Sequence, residues 1–248
     1  MAQRPPRGAV CYHSLSRLRE CSVRQLSIAG AWLLEPTLHR DSRGSFHEWF
    51  RACELTEATG APFPLAQANC SVSHQGVLRG IHYADVPPGQ TKYITCVYGA
   101  ILDVVVDLRT GSPTFGRWEA VRLDDRRRQA LHLSVGLGHS FLALAENTTV
   151  VYLTSSEYTP HREHAIHPFD PTLGIDWPAG IAPVLSDKDA AAPSLEQVQR
   201  AGKLPSYHAC LAVMGLPAGP PRARPEQNQA VCRPAPRRSQ PGCSAPGE

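Results

Sequence analysis

The apolar pattern of this 248-residue chain is that of a mainly β protein, a closed or sandwich-type β-barrel with a few short helices. Three observations carry that expectation. The stretch "YITCVYGAILDVVVDLR" (93–109) is two apolar runs, rich in β-branched residues and split at Gly99, which is strand composition interrupted by a turn residue. "NTTVVYLTS" (147–155) is another such run, and "AVRLDD" with "ALHLSVG" bracket a charged turn at Asp124–Arg128. Many short strands at even spacing with Gly/Pro turns between them are the signature of an all-β barrel or sandwich.

Along the chain, residues 1–24 hold five Arg and one Glu, with no apolar stretch long enough for a signal peptide. They are expected to be a poorly ordered N-terminal extension, so the cytosol is the default compartment. A single domain is expected over 25–214. In it "RACELTEATG" (51–60) suits a short helix ended by Gly60. "VLRGIHYADVPPGQTKYI" (77–94) reads as two short strands joined by the turn "DVPPGQ", which returns Lys92 on the neighbouring strand near His82. In an ideal strand Arg79 and His82 point to opposite faces; Gly80 between them can mark a bulge that re-aims one. "APSLEQVQRAGKL" (192–204) suits a C-terminal helix, with Leu195 and Val198 facing inward and a glycine near its end. Residues 215–248 contain eight of the 23 prolines and no aromatic residue, and a disordered tail is expected there.

Bulk properties exclude several classes. Hydrophobic residues make up 42% of the chain and mean hydropathy is −0.26, which describes a soluble domain; no apolar run reaches the roughly 18 residues of a membrane span. The net charge of +3 comes from the two ends, leaving an acidic body, the wrong distribution for a nucleic-acid-binding face. Eight cysteines include no CxxC pair, so reduced thiols are expected, Cys96 as a packing residue. His82 has no His-x-His partner, and His161, His164 and His167 lie in a proline-bounded loop; no metal is expected.

The remaining chemistry lies in polar groups set among strands. Arg79, His82 and Lys92 are accompanied by Asp41 and Arg43 ahead of "GSFHEWF", and by Gln67 and Asn69 in "QANCS". Burying such groups is costly unless something pairs with them. Tyr152 sits mid-strand between apolar residues, where an ordinary core tyrosine would also sit. Asp189 precedes a helix and by itself looks like a cap.

Taken in order, "DSRGSFHEWF", "QANCSVSHQGVLRGIHY", "GQTKYI", "LDVVVDLRTGSPTFGRW", "GLGHSF", "VVYLTSSEYTPHRE", "DPTLGIDWP" and "LSDKDAAAP" resemble the dTDP-4-dehydrorhamnose 3,5-epimerase family over about residues 27–205. The resemblance implies a cupin-like, jelly-roll β-barrel that needs no metal and no organic cofactor. "RGIHYADVPPGQTKY" further resembles the branch found in deoxysugar pathways for antibiotic glycosylation. The implied substrate is a dTDP-linked 4-keto-6-deoxyhexose, epimerised at C-3, C-5 or both: proton removal alpha to the C-4 ketone gives an enolate, and reprotonation from the opposite face inverts the centre.

By the same resemblance His82 is the general base, an imidazole whose pKa lies near working pH. Asp189 orients it, with Asp103 as a competing carboxylate. Tyr152 is the acid on the opposite face, and Lys92 stabilises the enolate oxygen. Arg79 holds the diphosphate or sugar beside the base. Arg43, Glu48, Gln67 and Asn69 serve the nucleotide end, Tyr158 stacks on thymine, and Glu163, Lys188 and His139 are further substrate contacts. Some nucleotide contacts come from the other subunit, implying a homodimer, with no nucleic-acid or membrane partner. "LSVGLGHSF" departs from the family by lacking a proline before the glycine and by carrying Gly138 and Ser140. The alternatives are a catalytically silent sugar-nucleotide-binding barrel and a 3,4-ketoisomerase on the same fold.

Overall fold

A computed structural model describes residues 21–217. Two antiparallel sheets face each other in it. The first is built from β1 (Cys21–Gln25), β2 (Ala31–Pro36), β10 (Ala130–Leu133), β7 (Lys92–Tyr98), β12 (Thr148–Thr154) and β5 (Gln67–Ser73), adjacent in that order. The second runs β13 (Glu163–Ala165), β6 (Leu78–Ala84), β11 (Leu137–Ala143), β8 (Ala100–Asp107), β9 (Trp118–Asp124). A separate hairpin pairs β3 (His39–Asp41) with β4 (Gly44–Phe46). The helices are short: α1 (Ala52–Thr59), α2 (Asp187–Ala190), α3 (Leu195–Arg200) and α4 (Tyr207–Val213). None of the described helices is long and apolar enough to cross a membrane.

The central strands are covered on both faces, which is why strands such as β8 are nearly continuous apolar runs rather than alternating ones, whereas the edge strand β5 alternates, with Ala68, Cys70 and Val72 exposed. Ile101 and Val105 of β8 join Leu33, Ile94, Leu131, Phe141 and Val150 between the sheets. Its Val104 and Val106 turn outward and pack with Ile81, Tyr83 and Ile166 against Leu195 and Val198 of α3. On the far side of the six-stranded sheet, Trp32, Tyr93 and Leu153 pack with Leu55 of α1 and Phe63. Cys96 is fully buried in the inter-sheet core, and the cysteines at 21, 53, 70, 96 and 210 are free thiols.

Two local expectations, at Gly60 and Gly99, meet the structure directly, and two caps were not foreseen. Gly60 closes α1 in the left-handed region (φ 76°) and donates its N–H to the Thr56 carbonyl at 2.9 Å, a glycine helix stop. Ser194 caps α3 through a reciprocal bond with Gln197, the capping-box arrangement. Gly99 separates β7 from β8, which belong to different sheets. The helix α4, with Ser206 accepting from the Ala209 N–H, lies beyond the predicted C-terminal helix.

Three corrections follow. Cys21–Arg24, placed by the sequence in the N-terminal extension, pair with Leu33–Pro36; the folded part therefore includes Cys21, and the rest of the extension lies outside the described residues, as does the tail from 218. The stretch 77–94 is not a hairpin. β6 pairs with β11 and β13 while β7 pairs with β10 and β12, so "DVPPGQ" carries the chain from one sheet to the other. Lys92 and His82 face each other across the inter-sheet space rather than along one sheet. Finally, Asp189 is not the cap of α2. Ser186 is, its Oγ accepting from the Asp189 N–H at 3.1 Å.

Candidate active site

The bulge in β6 orients the first functional side chain. Opposite β11, His82 pairs with His139 and Arg79 with Phe141, so β6 spends three steps where β11 spends two. The extra residue reverses the side-chain alternation. Ile81 and Tyr83 remain on the outer face, while His82 lines the inter-sheet cavity and Arg79, still exposed, reaches Ser73 of the other sheet, near enough for its charge to act on Tyr152. Gly80 permits this: its φ is +109°, and a Cβ there would stand 2.4 Å from the His139 carbonyl oxygen.

His82 Nε2 is 2.7 Å from Asp189 Oδ1, with the histidine about one-third exposed and the carboxylate almost fully buried. The first turn of α2 sets Asp189, and its second oxygen lies 3.5 Å from the Gly80 N–H. Burial alone pushes the Asp189 carboxyl pKa up; the hydrogen bonds and charge of His82, with Ser186 and Gly80, outweigh that and hold it below its ordinary value. The partnership also separates the two competing carboxylates. Asp103 is fully buried on β8 with both oxygens 3.0 Å from His139 Nε2.

His82 and Asp189 open into a cavity of about 420 Å³ between the sheets, whose opposite wall carries Lys92 and Tyr152. Burial pushes the Lys92 ammonium below its usual pKa, and Glu163 opposes that. Lys92 Nζ donates to Gln90 Oε1, and Gln90 Nε2 donates to Glu163 at 3.1 Å, a relay that ties the lysine to the carboxylate. Burial pushes the Tyr152 phenol up; Arg79 partly opposes this and Glu163 reinforces it. The phenol therefore stays protonated at neutral pH and can donate a proton.

Of the residues predicted to bind substrate, Gln67, Asn69, Tyr158, Glu163 and Lys188 line this cavity. Gln67 donates to Asn69 Oδ1 at 2.6 Å and accepts the Tyr158 N–H at 2.8 Å, fixing the loop that carries the exposed tyrosine ring. Four others lie elsewhere. Arg79 sits beside the cavity wall and donates to Ser73 Oγ at 3.3 Å. His139 faces the barrel interior but is turned to Asp103. Arg43 is on the exposed β3–β4 hairpin, paired to Asp41 at 2.5 Å, and Glu48 pairs with Arg51 at 3.0 Å. Sequence reasoning missed Gln90, Thr154, His164 and Ser186, which also line the cavity. Gln90 had a readable signal, since i,i+2 spacing from Lys92 puts both on one face of an extended segment. His164 did not, because its partner Asp85, at 2.6 Å, lies 79 residues away.

Comparison with known proteins places the chain among sugar-nucleotide epimerases. A family described as dTDP-4-dehydrorhamnose 3,5-epimerase matches residues 25–197. The chain is 56% identical over 191 residues to the dTDP-4-dehydrorhamnose 3,5-epimerase of Mycolicibacterium smegmatis, covering 77% of this chain and 94% of the relative. Among solved structures, the rmlC epimerase of Mycobacterium tuberculosis superposes with a TM-score of 0.77 at 52% identity, over 78% of this chain and 98% of that one. ChmJ, a 3'-monoepimerase from Streptomyces bikiniensis solved in complex with dTDP-quinovose, gives 0.75 at 55% identity, over 77% and 96%.

Proposed function

The chain belongs to the dTDP-4-dehydrorhamnose 3,5-epimerase family, a cupin-fold family of isomerases, and we propose that it inverts a dTDP-4-keto-6-deoxyhexose at C-3, or at C-3 and C-5, by a cofactor-free enolate mechanism. The observation that carries the mechanism is the His82–Asp189 pair at 2.7 Å, facing Lys92 and Tyr152 across one cavity. Nε2–H of His82 is held by Asp189, leaving Nδ1 with the lone pair that takes the proton alpha to the ketone. Asp189 then stabilises the imidazolium. The Lys92 ammonium meets the charge that develops on the C-4 oxygen, in a partly buried place where such a charge counts for more than in water. Tyr152 O–H returns a proton to the other face; solvent then reprotonates the phenolate and takes the proton held by the His82 imidazolium, restoring the base.

Gln67, Asn69, Tyr158 and Lys188 hold the nucleotide and diphosphate at the cavity mouth. Arg43 and Glu48, remote from their own chain's cavity, serve the nucleotide end of a partner's site in a homodimer. Mixing Arg43→Ala and His82→Asn proteins, each inactive alone, is expected to restore activity through hybrid dimers with one intact site. Mixtures as inactive as their components would sink the shared-site arrangement.

The mechanism is tested by incubating the enzyme with dTDP-4-keto-6-deoxyglucose in D2O and following the sugar by NMR. Deuterium at C-3 with inverted configuration supports epimerisation there. Label with inversion at C-5 as well makes it a double epimerase. No label while dTDP still binds would leave a sugar-nucleotide-binding barrel without chemistry.

A further inference from the structure

Gln90 lies two residues ahead of Lys92, at the end of the segment that carries the chain from one sheet to the other. It is only 8% exposed, and both ends of its amide are used. Oε1 accepts from Nζ of Lys92, on the first sheet. Nε2 donates to Oε1 of Glu163, on the second sheet, at 3.1 Å, and lies 3.4 Å from both the carbonyl and the hydroxyl oxygen of Ser156. These partners fix the orientation of the amide. An ammonium can only donate and a carboxylate can only accept, so a neutral side chain between them needs an acceptor at one end and a donor at the other.

The enolate mechanism uses Lys92 but leaves Gln90 without a task. A lysine carries its charge on a flexible four-carbon stem, and burial favours its neutral form. To meet a developing oxyanion the ammonium has to be charged, held still and not already committed to a carboxylate. Among the described residues Nζ has one hydrogen-bond acceptor, Gln90 Oε1, so two of its three N–H bonds stay available. A direct contact with Glu163 would keep the charge but bind it, because a desolvated ion pair is costly to open. The interposed amide avoids this, and its bond to the carboxylate polarises it into a better acceptor. The remaining ionisable groups of the cavity are Tyr152 on the adjacent strand β12, His82 and Asp189 on the opposite wall, and His164 and Lys188. We propose that Gln90 is a positioning residue for the epimerisation: anchored on Glu163 and Ser156, its amide keeps the Lys92 ammonium charged and in place on the cavity wall while standing between it and the carboxylate. This rests on the reading of Lys92 as the electrostatic partner of the enolate.

The whole chain has three lysines, Lys92, Lys188 and Lys203, so the titration of Lys92 can be followed directly. Full-length protein carrying 13C at the lysine Cε positions gives three signals, and that of Lys92 is identified by its loss in Lys92→Met. Gln90→Met fills a similar volume and removes both ends of the amide. It is expected to lower the Lys92 titration midpoint by about one pH unit, the size of a hydrogen bond to a charged group. Turnover at neutral pH should fall about tenfold, with dTDP binding retained. Gln90→Asn, an amide too short to reach both partners, is the milder substitution and should shift the midpoint in the same direction. A residue that acts through Lys92 also leaves a kinetic signature. Lys92→Met should cost about 10²–10³ in kcat, and adding Gln90→Met to it should cost nothing further. An unmoved Lys92 midpoint in both Gln90 variants, or losses that multiply in the double variant, would overturn the proposal while the slow Lys92→Met enzyme upholds the role of the lysine. Lys92→Met at the wild-type rate would remove that role, and the proposal with it.

Discussion

At the scale of single residues, the two faces of the cavity make separable predictions. If His82 takes the proton and Tyr152 returns one from the opposite side, the two losses differ in kind. His82→Asn should remove C–H exchange into D2O altogether, with turnover down by about 10²–10⁴-fold. Tyr152→Phe should lose inversion by a similar factor yet still exchange label with retained configuration, because His82 alone can remove a proton and return deuterium to the same face. NMR of the sugar distinguishes the two, and inversion at normal rate in Tyr152→Phe would remove it from the acid role. His82 and Lys92 stood out in the sequence as polar groups set among apolar strand residues, whereas Tyr152 looked like an ordinary core tyrosine and only the family resemblance singled it out. The choice between Asp189 and Asp103 could not be read there, since each carboxylate meets a histidine and only the register and α2 decide which.

At the scale of elements, the apolar runs exposed most of the strands, and Gly60 marked a helix end for a local chemical reason. What the sequence could not show is which strands pair. "VLRGIHYADVPPGQTKYI" has the composition of a hairpin, yet its strands join different sheets, because pairing is decided by distant strands such as β10 and β11. The bulge at Gly80 is intermediate: the glycine was visible, and its effect needed the register with β11. Gly80→Ala puts a methyl group against the His139 carbonyl and forces a positive φ on a residue that resists it. The expected cost is about 1–3 kcal/mol in urea-unfolding experiments, together with lower turnover because His82 shifts off Asp189. An alanine variant with wild-type stability and rate would mean that the bulge is not what aims the base.

At the scale of the whole molecule, the end of β8 is tied to distant segments by one buried ion pair that no local pattern announced. Arg109 and Asp107, 1% and 0% exposed, meet through two bonds of 2.8 Å. The guanidinium also reaches the Ala29 carbonyl at 2.7 Å and lies over the Tyr207 ring of α4 at 4.9 Å, while Ser112 and Thr114 donate to the carboxylate at 2.5 and 2.6 Å. Burial raises the Asp107 pKa, but the Arg109, Ser112 and Thr114 bonds prevail and hold it below its ordinary value. A carboxyl depressed in the folded state adds stability above its unfolded pKa, about 3.9, and loses it as pH falls through the folded value. In the wild type this contribution is therefore constant from pH 7 to 5. Arg109→Leu strands the carboxylate, at a cost of about 3–5 kcal/mol at pH 7, and removes the main cause of the depression, so burial then raises the Asp107 pKa above its unfolded value. The sign of its pH dependence reverses: the variant gains stability between pH 7 and 5 as the buried carboxyl takes up a proton. Urea midpoints of both proteins at pH 7 and 5 test this. A narrowing gap at pH 5 is expected, whereas a constant gap would show that Asp107 remains ionised without its arginine, held by Ser112 and Thr114 alone.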